Sequence, residues 1–221
     1  MIELEWQGGD MLRVTETFVS IQGEGLAAGL PCFFIRLSGC NLRCTYCDTR
    51  YAYLPGNIAT VEELINAWKT SGVEYVQVTG GEPLTQPEVY RLMAGLLEKG
   101  AKVLLETNGS MSLKRVPFQV IKIVDRKTPG SGMADSWFPN NMRYISHTDQ
   151  MKFVITNDED FHWAVRELEK KGLCYFTQVL FSPAAPLMAP ERLAELILET
   201  RLPVRLQLQL HKILWGDRQG I

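Results

Sequence analysis

The sequence predicts an α/β fold, a partial (β/α) barrel of about six parallel strands, because strand and helix signals alternate along the chain and imply right-handed crossovers. Two further observations agree. Polar, glycine-containing turns stand at the ends of successive strand signals, and no repeat, low-complexity tract or Gly/Ser linker divides the 221 residues. Residues 1–221 therefore read as a single domain.

Taken in order, Pro31 to Leu37 reads as a strand. Thr60 to Lys69 reads as a helix, since Val61, Leu64, Ile65 and Trp68 share one face and Thr60 with Glu63 has capping-box spacing. Val73 to Thr79 is the next strand, and Pro87 to Lys99 an amphipathic helix stopped by Gly100. Strands follow at Lys102 to Glu106, Val120 to Val124 and Met151 to Thr156. Asp158 to Lys171 is a helix between Asn157 as cap and Gly172 as stop, and Cys174 to Phe181 a strand. Pro190 opens a helix to about Thr200. Val204 to Leu210 alternates Val204, Leu206, Leu208 and Leu210 against Arg205, Gln207, Gln209 and His211, as a last strand would. The stretch from Arg126 to Gln150 is too long for an ordinary connection, which leaves a site-covering loop and a plain surface excursion both open.

Composition narrows the function. A net charge of −2 with interleaved signs carries no nucleic-acid footprint, so a small-molecule partner is expected. No apolar run approaches the roughly 20 residues of a membrane span. Met1 to Asp10 lacks the basic-then-apolar layout of a signal peptide, and a cytoplasmic protein is expected. An odd count of 5 cysteines suits a metal site in a reducing compartment better than a disulfide framework.

Cys40, Cys44 and Cys47 follow the first strand in a Cys-x3-Cys-x2-Cys spacing. Thiolates hold iron-sulfur clusters, and three of them leave one corner iron of a 4Fe-4S cube free to chelate a small molecule. A structural zinc site needs a fourth ligand, and the histidines, His147, His162 and His211, are all distant in sequence. Cys32 and Cys174 fall inside strand signals and read as buried, inert thiols. At the next strand end, Thr79-Gly80-Gly81-Glu82-Pro83 offers close backbone approach and acceptors for an ammonium group. Glu106-Thr107-Asn108-Gly109 repeats the pattern one strand later, on the side where α/β folds place their sites. Arg36 shares a strand face with Cys32 and Phe34 and points to the cluster side. Its partner is either an internal carboxylate or, as the cavity favours, a substrate carboxylate. Glu16 to Gly25 reads only as a turn with polar groups.

The cysteine spacing, with Tyr46 before the third cysteine, resembles the radical S-adenosylmethionine superfamily. Ile21 to Gly25, Phe34 to Cys40, Cys47 to Thr49, Thr79 to Pro83, Glu106 to Gly109 and Gln209 to Lys212 together resemble the 7-carboxy-7-deazaguanine synthase family over about Val14 to Trp215. That resemblance implies a radical ring contraction of 6-carboxy-5,6,7,8-tetrahydropterin with loss of ammonia, on the route to queuosine and other deazapurines. It also implies S-adenosylmethionine, Mg2+, a homodimer and an electron donor such as flavodoxin.

Carried over by position, the resemblance makes Ile21, Gln22, Gly23, Arg36 and Thr79 substrate contacts and Thr49 a magnesium ligand. Tyr46, Gly81, Glu82, Glu106 and Asn108 become cofactor contacts. Asp125-Arg126-Lys127 replaces a Ser-Pro-Lys of some relatives, so only Lys127 maps there, and Ser182 and Pro183 stand where others carry Gln-Pro. The tail beyond Lys212 departs from relatives that end soon after this point with a substrate-binding proline. Two other readings use the cysteine loop. A glycyl-radical activase acting on a protein leaves Gln22 to Gly25 and Arg36 unexplained, and a non-catalytic metal module leaves the strand-end glycines unused.

Overall fold

The computed structural model describes residues 10–216 and 218–221. Met1 to Gly9, read above for the lack of a signal layout, lies outside the described residues. The strands are β1 (Met11–Ile21), β2 (Pro31–Leu37), β3 (Asn57–Thr60), β4 (Tyr75–Gly80), β5 (Lys102–Thr107), β6 (Ile121–Asp125), β7 (Gln150–Ile155), β8 (Gln178–Pro183) and β9 (Arg205–Leu206). Among the described residues they form one 9-stranded sheet in the order β3-β1-β2-β4-β5-β6-β7-β8-β9. From β2 to β9 every pairing is parallel, and β1 pairs antiparallel with both β2 and β3. The barrel is open, because β3 and β9 are sheet edges.

Helices α1 (Val61–Ser71), α2 (Val89–Glu98), α3 (Asp158–Lys171) and α4 (Pro190–Thr200) accompany the sheet, and α5 (Leu210–Trp215) ends it. Alternation along each strand decides what meets the helices. Val76 and Val78, Val103 and Leu105, Phe153 and Ile155, and Val179 and Phe181 join the apolar core with Leu64, Trp68, Leu92, Leu96, Phe161, Leu168, Leu193 and Leu196. The intervening Gln77, Thr79, Glu106, Lys152 and Ser182 point the other way, into the lumen.

Three expectations change. Strands β1 and β3 have no counterpart in the sequence reading, because Thr15, Glu16 and Thr17 interrupt the alternation of β1 and β3 is only 4 residues long. Cys174 lies in a 3-10 turn, part-exposed, because Gly172 turns left-handed at φ 60° and the chain extends only from Gln178. The last strand shrinks to Arg205–Leu206, and its faces are inverted: Gln207 is 8% exposed while Leu206 and Leu208 are 39% and 37%. In keeping with the absence of helix signals there, β5 to β6 and β6 to β7 are joined by 3-10 turns and irregular chain.

The 126–150 stretch is pinned down rather than loose. Arg126 lies between Trp137 and Trp163, 5.5 and 4.8 Å from their ring centroids, and donates to the Ala134 carbonyl. Asp160, at the start of α3 and 1% exposed, accepts from Thr128 Oγ1, Gly130 N, Thr156 N and Thr156 Oγ1. Asp160→Ala strands those donors in the interior, and chemical denaturation should show a loss of roughly 3 kcal/mol or more.

Candidate active site

At the C-terminal ends of the parallel strands the lumen opens into a cavity of about 300 Å³, within the range of small-molecule sites. Cys40, Cys44 and Cys47 line it as free thiols on the loop leaving β2. Their loop is held from several sides. Leu42 N donates to Cys40 Sγ at 3.4 Å, Gly39 N to the Ala52 carbonyl at 2.7 Å, and Asn41 Nδ2 to Ser110 Oγ at 2.8 Å. Thr45 donates its amide to the Ser131 carbonyl and its hydroxyl to the Gly130 carbonyl, so the 126–150 stretch buttresses this loop.

Gly81 shows why the second motif needs glycine. A Cβ there would stand 2.1 Å from the Gly39 carbonyl oxygen and 2.7 Å from Cys40 Cβ, so any side chain would drive the two loops apart. At Gly23 a Cβ would stand 2.1 Å from His211 Nδ1, so a side chain there would displace the His211 ring. Glu82, by contrast, does not face the cavity. It is 0% exposed and accepts from Leu84 N, Thr107 Oγ1 and Asn108 N, which ties the β4 end to the β5 end. Burial pushes its carboxyl up to about 7, against the pull of those donors.

Arg36 faces the cavity, but an internal carboxylate is committed to it after all. Its Nε lies 2.7 Å from Oε1 of Glu16, the residue paired with it in the β1–β2 register, and Tyr51 donates to the same oxygen at 2.9 Å. Glu16 escaped the sequence reading because antiparallel pairing brings it to Arg36 from 20 residues earlier. Thr49 donates its hydroxyl to Asp48 Oδ1 at 2.9 Å, which leaves the threonine oxygen's lone pairs for a cation. Asp48 itself is bound by Lys212 Nζ at 3.0 Å. Burial would raise the Asp48 carboxyl, but Lys212, Thr49 and Gln209 together hold it below the usual range.

Deeper in the lumen, Lys127 Nζ meets Asp125 Oδ2 at 2.7 Å, and Lys152 Nζ meets Glu24 and Glu106. Burial would lower the Lys127 ammonium, but Asp125 chiefly, with Tyr46 and Cys44, holds it above its ordinary value. The Tyr46 hydroxyl and Asp125 Oδ1 are buried without a hydrogen-bond partner among the described residues. Two orphaned groups in one cavity wall mark a place for a polar ligand.

These residues fit a thiolate-held cluster and an amino-acid cofactor. Among the described residues no three His, Cys, Asp or Glu side chains converge on one ion position. Thiolates around a cubane stand further apart, one to each corner iron. Burial raises the Cys40 and Cys44 thiols, with Lys127 acting against it, so iron must displace their protons on binding.

A family model described as the radical SAM superfamily matches residues 34–122. A 7-carboxy-7-deazaguanine synthase of Chlorobaculum tepidum is 38% identical over 214 residues, covering 95% of this chain and 97% of its own length. The chain belongs to the 7-carboxy-7-deazaguanine synthase family. A synthase of Thermoplasma acidophilum is 35% identical over 214 residues, covering 95% of this chain and 100% of its own. The crystal structure of QueE from Escherichia coli shares the fold, with a TM-score of 0.74 at 22% identity over 91% of this chain and 95% of that one. Membership in this synthase family makes the chain a radical S-adenosylmethionine enzyme of the lyase type, with a 4Fe-4S cluster and S-adenosylmethionine as cofactors.

Of the residues singled out by sequence, Ile21, Gln22, Gly23, Arg36 and Thr79 line the cavity, as do Tyr46, Thr49 and Gly81. Glu106, Asn108, Lys127, Ser182 and Pro183 line it as well, and Glu82 alone turns away. Glu24, Asp48 and Lys212 lie inside motifs singled out by sequence but were given no role there, and Lys152 was missed. The charge of Lys152 near the start of an apolar strand signal could have flagged it.

Anaerobic reconstitution should load about four irons per chain through three thiolates. Cys40→Ala, Cys44→Ala or Cys47→Ala should abolish the cluster absorbance and Cys174→Ala should preserve it. A cluster retained in the triple variant would contradict the assignment.

Glu82 gives a pH dependence. Its folded value of about 7 exceeds the ordinary 4.5, so the folded chain keeps a proton that the unfolded chain has lost. Stability should therefore fall as pH rises between those values, by at most about 1.4 kcal/mol per unit, and level off above. Denaturation at about pH 5 and about pH 7.5 should show this slope, and Glu82→Gln should flatten it.

Proposed function

We propose that the chain performs the family reaction, contraction of 6-carboxy-5,6,7,8-tetrahydropterin to 7-carboxy-7-deazaguanine with loss of ammonia. The observation that carries this reading is the cavity itself, where Arg36 stands across from the three cysteines with the family's glycine motifs between them. When bound, the reduced cluster supplies an electron to the sulfonium of S-adenosylmethionine and so the adenosyl radical that takes a hydrogen from the substrate. Cys40, Cys44 and Cys47 would hold the cluster, and Gly81, packed against Gly39 and Cys40, would present its backbone to the cofactor's amino acid part. Asn108 donates to Asn41 Oδ1 at 3.2 Å, within the same wall, and with Tyr46, Lys127, Ser182 and Pro183 it would contact the cofactor. Glu82, turned inward, would act by bracing the strand ends rather than by touching the cofactor.

On the substrate side, Ile21, Gln22, Gly23 and Thr79 would contact the pterin, flanked by the stacked rings of Phe18 and Phe34, 4.9 Å apart. Arg36 would pair with the substrate carboxylate while Glu16 fixes its plane through Nε, a geometry that suits a two-point grip. Thr49 would ligate Mg2+, a hard cation that takes oxygen ligands and keeps several waters. A homodimer accords with the exposed Leu206, Leu208, Ile213 and Leu214 near the barrel seam. An acidic electron carrier such as flavodoxin accords with Arg43 and Arg50, exposed on the cluster loop. Among the described residues no helix is long and apolar enough to cross a membrane. A cytoplasmic setting remains our reading from the reduced thiols.

The test is oxygen-free incubation of reduced enzyme with S-adenosylmethionine, Mg2+ and the pterin, followed by mass detection of 7-carboxy-7-deazaguanine. Arg36→Lys should raise the pterin KM, and Arg36→Ala should cost on the order of 2 to 5 kcal/mol in kcat/KM. Release of 5'-deoxyadenosine without deazapurine from the cluster-replete wild type would discard the substrate, and full activity in Arg36→Ala would discard the role of Arg36.

A further inference from the structure

Lys152 stands on β7, 5% exposed, with its Nζ 2.7 Å from Glu24 Oε2 and 2.5 Å from Glu106 Oε1. Glu106 belongs to β5, two places along the sheet, and Glu24 follows β1 on the far side of the open seam. One ammonium therefore links three separate elements through the lumen. Burial would push that ammonium down, but Glu106 and Glu24 outweigh it and hold it well above the ordinary lysine value.

The two carboxylates are not equivalent. Glu24 is fully engaged, its Oε2 by Lys152 and its Oε1 by Gln209 Nε2 at 2.9 Å. Glu106 gives Oε1 to Lys152, while Oε2 receives only a long 3.4 Å contact from Gln77. Its side chain is 29% exposed, against 16% for Glu24 and 6% for Lys152. Of the other cavity carboxylates, Glu16 is taken by Arg36 and Tyr51, Asp48 by Lys212 and Asp125 by Lys127 on one oxygen. Glu106 Oε2 is thus an acceptor presented to the cavity, and its direction is fixed by the bond on Oε1. Without the ammonium, Glu24 and Glu106 would face each other as like charges in a low-dielectric lumen, and Glu106 would lose its orientation.

We propose that Lys152 is a positioning residue, which aims Glu106 at the paired N–H donors of the substrate's aminopyrimidinone edge without itself touching substrate. This rests on the pterin reading of the site and gives Glu106, which the family resemblance placed among the cofactor contacts, to the substrate. A carboxylate oxygen held in place matches such a donor edge, and an unheld one pays for its ordering on each binding event.

The experiment uses cluster-reconstituted enzyme and compares Lys152→Met, which keeps the stem and drops the charge, with Lys152→Arg and the double variant Lys152→Met with Glu24→Gln. Lys152→Met should raise the pterin KM about tenfold or more, leaving the S-adenosylmethionine KM and the cluster spectrum unchanged, and Lys152→Arg should restore much of it. The double variant should recover thermal stability, since the stranded Glu24 charge is gone, while the pterin KM stays high. Glu106→Gln should raise the pterin KM likewise, whether or not Lys152→Met folds. An unchanged pterin KM in Lys152→Met or Glu106→Gln, or recovery of KM together with stability in the double variant, would overturn the role of Lys152 alone. Wild-type enzyme that makes no deazapurine from the pterin would overturn the substrate reading and this proposal with it.

Discussion

Side chains along the parallel strands alternate between the apolar core and the lumen, and a one-residue slip would exchange the two sets. On β4 the outward pair is Val76 and Val78 and the inward pair Gln77 and Thr79. On β7, Phe153 and Ile155 enter the core while Lys152 and Val154 line the cavity. The same register that builds the core therefore builds the site, and neither can shift without the other. Charged groups are tolerated so deep because the buried ammoniums meet carboxylates, Lys127 that of Asp125 two residues earlier and Lys152 those of Glu24 and Glu106 from other elements.

Parallel pairing does not close the barrel, since both edge strands are free. Side chains of the C-terminal segment do the closing. Gln207 accepts from Gly25 N at 2.8 Å, Gln209 donates to Glu24 and to Asp48, and Leu210 N donates to the Gly23 carbonyl. This is why the polar face of that segment turns inward and its leucines outward. Hydrogen bonds to the turn after β1 decide the sense of that segment.

The connections that lack helices carry the cluster loop. Glu82 joins the β4 and β5 ends from below, and Asn141, 0% exposed, donates to the Gly109 and Met111 carbonyls and so fixes the turn beside Asn41. Thr45 leans on Gly130 and Ser131, which Asp160 in turn secures through Gly130. A loop with three metal-binding thiols cannot rest on its own short chain. It takes its shape from the loops around it.

The sequence alone determined what local period and spacing can encode. The crossovers follow from alternating strand and helix patterns, the cluster from three cysteines on one short loop, and the cofactor wall from glycines at strand ends, because each signal lies within a few neighbouring residues. Partners from distant parts of the chain were decided only by the tertiary structure. Antiparallel register set Glu16 against Arg36, and the curvature of the sheet brought Lys152 to Glu24 across 128 positions. Burial encloses Glu82, an expected cofactor contact, among three protein donors, so that it ties the β4 end to the β5 end. A charge read in one dimension shows what a side chain can bind, and only the packing of the sheet decides which partner reaches it first.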